Sequence, residues 1–195
     1  MKYPASQWLP FYLPLALIWG CSFLFIKVGL ESFTPIGVVF GRVLLGALTL
    51  IVITVVSRSS LPPRWSWKYL FVASLLWVCV PWTLFAFAQT QVSSALAGII
   101  NALTPLMTLL AILLAFRTEK PTRGRIGGLI LGFIGMLVVV GFWQPLALDN
   151  LWAIGAMVLA VSCYGVAFPF ARRFLTGPQA QAPIPAVSLA TGLML

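Results

Sequence analysis

The chain has 195 residues, of which 61% are hydrophobic and 8% charged, with a mean hydropathy of +1.05. Soluble domains carry about a quarter of their residues as charges, so this composition excludes a water-soluble globular protein. Twelve Lys and Arg stand against three Asp and Glu with no His, a formal charge of +9, and the cations are scattered between long apolar runs; that spacing fits loop charges that orient membrane helices rather than a nucleic-acid face.

A bilayer crossing takes about 20 apolar residues, so the length holds roughly six to seven helical spans and leaves no room for a separate soluble domain. The first span is expected over residues 8–30, too long for a signal-peptide core and without a small-residue cleavage site behind it. The second, 35–56, opens on Pro35, where a missing N–H costs nothing, and ends at Ser57 and Arg58. Residues 57–68 read as a loop. The third and fourth spans, 69–88 and 93–116, are separated by only a few polar residues and must form a tight antiparallel hairpin. A basic loop over 117–125 carries Glu119, the fifth span covers 126–143 and the sixth 151–171, and the apolar stretch 186–195 reads as the start of a seventh. The expected fold class is an all-α polytopic membrane protein.

With loops alternating between two sides, Lys2, Arg58, Arg64, Lys68, Arg117, Lys120, Arg123, Arg125, Arg172 and Arg173 fall on one side, and Glu31 and Asp149 on the other. The positive-inside rule then predicts a cytoplasmic N-terminus in a multi-pass protein of the cell membrane. Cys21, Cys79 and Cys163 all lie inside apolar runs and cannot form a disulfide framework; with no His, metal and haem ligands are scarce, and no cofactor is expected.

Trp19, Gly20, Phe23, Phe25 and Lys27 recur as Tyr164, Gly165, Phe168, Phe170 and Arg172 at an offset of 145 residues. The two segments fall on the first and sixth spans, so the repeating unit holds five helices. An odd number turns the second copy upside down in the membrane, the inverted-repeat design of many secondary transporters. Residues 8–143 are the expected first repeat and 151–195 the start of a second, cut short because two units at this period need about 290 residues.

At Trp19-Gly20 with Phe23 and Lys27, Pro35 with Arg42, Thr104-Pro105, Glu119 and Ile126-Gly127, the sequence resembles the EamA-like transporters of the drug/metabolite transporter superfamily. The resemblance covers about residues 10–143 and continues weakly beyond. It implies a ten-helix fold of two inverted five-helix units that moves small metabolites, such as amino acids, by alternating access.

Lys27 and Arg42 are the cations inside spans. Lys27, near the outer end of its helix, either snorkels to headgroups, pairs with Glu31 or lines a cavity. Arg42 lies roughly 10 Å below Pro35, deep enough to line an outward-facing cavity or to pin helices together. On the fourth span, Ser94, Gly98, Asn101, Pro105 and Thr108 form one small, polar stripe. Pro105 is expected to free the carbonyl of Asn101 at mid-span, so that Asn101, Thr104 and Pro105 offer a solute contact or bond a neighbouring helix. Pro81 and Pro169 are expected to free the carbonyls of Trp77 and Gly165 as hinges or packing kinks. Trp19, Trp77, Trp82 and Tyr164 are candidate pocket walls, whereas Trp8, Trp65, Trp67, Trp143 and Trp152 fit an interfacial belt. The ridge of Gly124, Gly127, Gly128, Gly132 and Gly135 suits close packing inside the bundle or a dimer face.

The function these features point to is secondary transport of small organic solutes, in the export direction, by a monomer or homodimer whose partners are the solute and the lipid bilayer. No Walker motif is present, and the acidic residues all fall in loops, so the chain shows neither ATP binding nor a carboxylate relay. The alternatives are a non-transporting fragment or a lipid-acting membrane enzyme; the enzyme lacks His and any pair of neighbouring acids.

Overall fold

Inside a bilayer a chain must bond its own backbone, and these apolar runs do so as helices. A computed structural model describes residues 5–116, 122–140, 151–178 and 180–195, and the regular elements among them are all helical. Lys2, Arg117, Glu119, Lys120, Trp143 and Asp149 lie outside the described residues. Five helical runs are long and apolar enough to cross a membrane: Tyr12–Gly29, Pro35–Val56, Arg64–Ala88, Ser94–Phe116 and Leu151–Thr176, with a shorter apolar stretch at Ile126–Gly135. The chain is a polytopic α-helical membrane protein.

Helix α1 covers Ala5–Gly29 and α2 Pro35–Val56. Thr34 caps α2 by accepting a hydrogen bond from the Gly37 N–H at 3.2 Å, and Pro35 takes the first turn. At the other end Arg58 adopts a left-handed φ of 51°, which lets its N–H reach the Val55 carbonyl and the Ser59 N–H that of Thr54.

The next helical run starts earlier than expected. A 3₁₀ turn at Arg64–Ser66 leads directly into α3, Trp67–Ser74, because Pro63 holds the chain extended up to the helix start and no loop residue is needed after it. A π-helical turn at Leu75–Cys79 joins α3 to α4, Val80–Ala88. Its wider winding, with the Val80 N–H bonded to Leu75, carries Pro81 into the first turn of α4, where a ring without an N–H is tolerated. The expected kink at Pro81 is thus absorbed as a bulge.

The fourth span is not one helix. It breaks into α5, Ser94–Asn101, and α6, Thr104–Ala111, followed by a π-helical turn at Ile112–Phe116. Helix α7 covers Arg123–Val140. Helix α8, Leu151–Ala171, runs on through a π-helical turn at Arg172–Thr176, so the sixth span ends later than expected and carries Arg172 and Arg173 on its last turn. Helix α9 is Ala186–Met194.

Helix α8 is the central element and packs on α4 and α6. Phe85, Met157 and Val161 fill that contact, and Ala88, Ala153 and Ala160 keep it thin enough for the backbones to approach. Helices α8 and α6 approach closely at Gly165: a Cβ there would lie 2.6 Å from the backbone of Met107 on α6. The α7 glycines behave differently. Gly124, Gly127, Gly128, Gly132 and Gly135 have nothing within 4 Å among the described residues, so the close packing expected of that ridge is not made there.

Hydroxyls pin α9 across α2 and α3. Thr54 and Thr191 share a buried hydrogen bond at 2.8 Å, Ser74 donates to the Leu193 carbonyl at 2.7 Å, and Ser188 donates to that of Ser60. Thr54→Val keeps the volume and leaves the Thr191 hydroxyl without its partner on α2; a loss of about 1 kcal/mol is expected, read as a lower unfolding temperature in detergent. The same end of the bundle is closed by Tyr69 stacked on Phe174 at 4.9 Å, which brings the start of α3 beside the end of α8. Arg58, Arg64, Lys68 and Arg173 therefore gather at one end, and Lys27 with Glu31 at the other.

Candidate solute cavity

The helices line a half-open cavity of about 1290 Å³. Its wall comes from α1, α2 and each of α4 to α9, with Trp77 and Val78 of the first π-helical turn and Ile112 of the second. Trp19 on α1, Arg42 on α2, Trp82 on α4, Asn101 at the end of α5, Thr104 and Pro105 on α6, and Tyr164 on α8 all line it. Eight residues singled out as candidates in five different spans thus meet around one space.

Arg42 is held on two sides. One Nη2–H donates to Ser22 Oγ at 3.0 Å, and the guanidinium carbon lies 4.2 Å from the centre of the Trp82 ring. An aromatic face offers a desolvated cation a share of the charge compensation it has lost from water. Tyr164 lies within electrostatic reach of the same guanidinium.

The break between α5 and α6 puts Asn101 on the wall. Its own carbonyl is not free, contrary to the expectation from Pro105: the Thr104 hydroxyl donates to it at 2.7 Å, and the Thr108 hydroxyl in turn donates to the Thr104 carbonyl at 2.8 Å. A hydroxyl one turn on replaces the N–H that proline lacks, which is how membrane helices keep such breaks intact. What the break exposes is therefore the Asn101 side chain. The polar stripe divides at the same point, with Asn101, Pro105 and Thr108 on the cavity and Ser94 and Gly98 on a shallower groove beside Gly20 and Phe23 of α1.

Lys27 does not line the cavity. Its ammonium donates to the carbonyls of Gln89 at 2.7 Å and Val92 at 3.1 Å, in the turn between α4 and α5, rather than to Glu31. It is a clasp between the C-terminal end of α1 and that turn.

The sequence did not mark Ser22, Phe23 and Phe168 as wall residues. Phe168 meets Trp77 edge-on at 4.6 Å, and Phe23 packs on Phe85 at 5.2 Å, with Phe85 also stacked near Tyr164 at 6.3 Å. The signal was in the repeat: Trp19 and Tyr164 are mates at the 145-residue offset, Phe23 and Phe168 are mates as well, and all four face the cavity.

A membrane bundle built around a partly polar central cavity is the class these features define. A model of the EamA-like transporter family matches residues 7–141, more than half of the sequence, and the chain belongs to that family. It is 26% identical over 165 residues to Protein PagO of Salmonella typhimurium, an alignment covering 83% of this chain and 54% of PagO. It is 22% identical over 174 residues to an uncharacterized transporter of Archaeoglobus fulgidus, covering 88% of this chain and 59% of that protein. The chain thus spans somewhat over half the length of these curated relatives. No solved structure matches it.

Proposed function

We propose that this chain forms the first repeat, residues 8–143, and the opening of the second, residues 151–195, of a secondary transporter that moves small organic solutes by alternating access. The observation that carries the reading is the cavity itself: repeat mates from α1 and α8 stand on its wall together, so the two units share one central space. Inverted repeats place their solute site at such an interface near mid-membrane. Family membership supports solute movement rather than catalysis as the work done there.

The broken α5–α6 run and the bulge before α4 are the elements that can absorb a change of helix direction as the site turns from one side to the other. Gly165 receives α6 at backbone distance, whereas its mate Gly20 meets nothing within 4 Å among the described residues. The inverted arrangement would set the second unit's counterpart of α6 against Gly20. The basic end of the bundle is assigned to the cytoplasm by the positive-inside rule, which makes the N-terminus cytoplasmic.

The test is reconstitution. In proteoliposomes holding the full-length protein, Asn101→Leu is expected to lower solute flux at least tenfold, a change of about 1.4 kcal/mol, with insertion and unfolding temperature kept. Flux equal to that of the unaltered protein removes Asn101 from the path.

A further inference from the structure

Among the described residues Arg42 is the one charged side chain on the cavity wall. A guanidinium carries five N–H donors, and here Ser22 is the hydrogen-bond acceptor for one of them while Trp82 covers one face. No nitrogen of Arg42 is among the buried polar atoms left without a partner, so the donors not bonded to Ser22 stay accessible on a residue of the cavity wall. A cation kept in an apolar wall with no carboxylate beside it is expensive, and a ring face compensates only part of that cost. An anion entering the cavity would supply the rest.

The surroundings restrict what kind of anion. One guanidinium balances one negative charge, and its planar fork matches a carboxylate through two parallel hydrogen bonds. A dianion would leave a charge uncompensated among Trp19, Phe23, Trp77 and Phe168. No acidic side chain lines the cavity among the described residues, so an ammonium finds no counter-charge and meets the field of Arg42 instead. The aromatic wall suits a ring-bearing body.

We propose that the cavity selects amphipathic monoanions: solutes with a single carboxylate, bound by Arg42, on an apolar, ring-bearing body lodged against Trp19, Trp77 and Trp82. This rests on the transporter reading above and narrows it, setting amines and zwitterionic amino acids below organic acids of the same shape.

The probes are 3-phenylpropionate, 3-phenylpropionamide, 3-phenylpropylamine and L-phenylalanine, which share a body and differ in charge. Their binding to the purified full-length protein is followed by quenching of tryptophan fluorescence, and their flux is measured in proteoliposomes. The acid is expected to bind roughly tenfold or more tightly than the amide, as a charge-assisted fork over a neutral contact, with the amine weakest and L-phenylalanine between. Arg42→Gln is expected to remove the acid's advantage, and Arg42→Lys to restore part of it; if Arg42→Gln does not fold, the order of the four probes on the unaltered protein decides alone. Amide binding and flux equal to those of the acid overturn the anion selection and leave the transporter standing. Absence of binding and flux for every probe overturns both.

Discussion

Replacing Gly165 with Leu is expected to push α8 off α6 and cost about 3 kcal/mol or more, the upper range for forcing atoms into a filled contact. The reason is that the obstacle is backbone. A Cβ at Gly165 would sit 2.6 Å from the Met107 carbonyl carbon, 2.7 Å from its Cβ and 2.8 Å from its oxygen, and none of these can swing aside as a side-chain tip would. Because α8 also packs on α4 through Met157 and Val161, the displacement spreads through the main core. A fall in unfolding temperature of about 6–12 °C in detergent is the expected reading for a chain of this size. Gly155, nearly three turns earlier on the same helix, has nothing within 4 Å among the described residues, and Gly155→Leu is expected to melt within about 1 kcal/mol of the original. Equal melting of the two variants would mean that α6 and α8 do not touch at Gly165.

The second large effect belongs to Lys27→Met. Its ammonium is shared between the Gln89 and Val92 carbonyls at 2.7 and 3.1 Å, each a bond to a charged donor of the kind worth about 1.5–3 kcal/mol. Methionine fills the volume and donates nothing. Water at the membrane surface replaces part of what is lost, so a cost of about 2–3 kcal/mol is expected, with the turn between α4 and α5 loosened from α1. Because Lys27 stands off the cavity wall, solute affinity in the surviving folded protein is expected to stay within about twofold, under half a kcal/mol. Weaker solute binding with unchanged melting would show the opposite, that Lys27 is a solute contact and not a clasp.

These two residues also mark where the sequence was readable and where it was not. The spans were legible because apolar length and helical period are local properties, and the sequence signature Trp19-Gly20 against Tyr164-Gly165 needed only self-comparison. That Gly165 is an approach point and Gly20 is open was not legible, since both are the same residue in the same motif and differ only in which helix lies opposite. The partners of Lys27 were not legible for a similar reason: they are more than 60 residues away and are backbone carbonyls, which no side-chain pattern announces. The candidates around the cavity were found through chemistry that membranes make costly, a cation at Arg42, an amide at Asn101 and ring donors at Trp77 and Trp82. Ser22 and Phe168 escaped because a serine and a phenylalanine are ordinary residues in a span. The break after Asn101 was foreseen from Pro105, but the hydroxyl of Thr104 decides what it exposes, and the π-helical turns at Leu75–Cys79 and Ile112–Phe116 consist of apolar residues that a regular helix would accept as readily.

The central claim is that the space between Arg42, Asn101 and Tyr164 is the path of the solute, and accessibility of a single thiol tests it most directly. In full-length protein with Cys21, Cys79 and Cys163 replaced by Ala, Thr108→Cys places a thiol on the cavity wall, and Val52→Cys places one on the exposed outer face of α2. A water-soluble, membrane-impermeant thiosulfonate is expected to modify position 108 and not position 52, to stop flux when it does so, and to be held off by a transported solute. Modification at position 108 that leaves flux untouched, or a thiol there that the reagent never reaches while flux continues, would contradict the account.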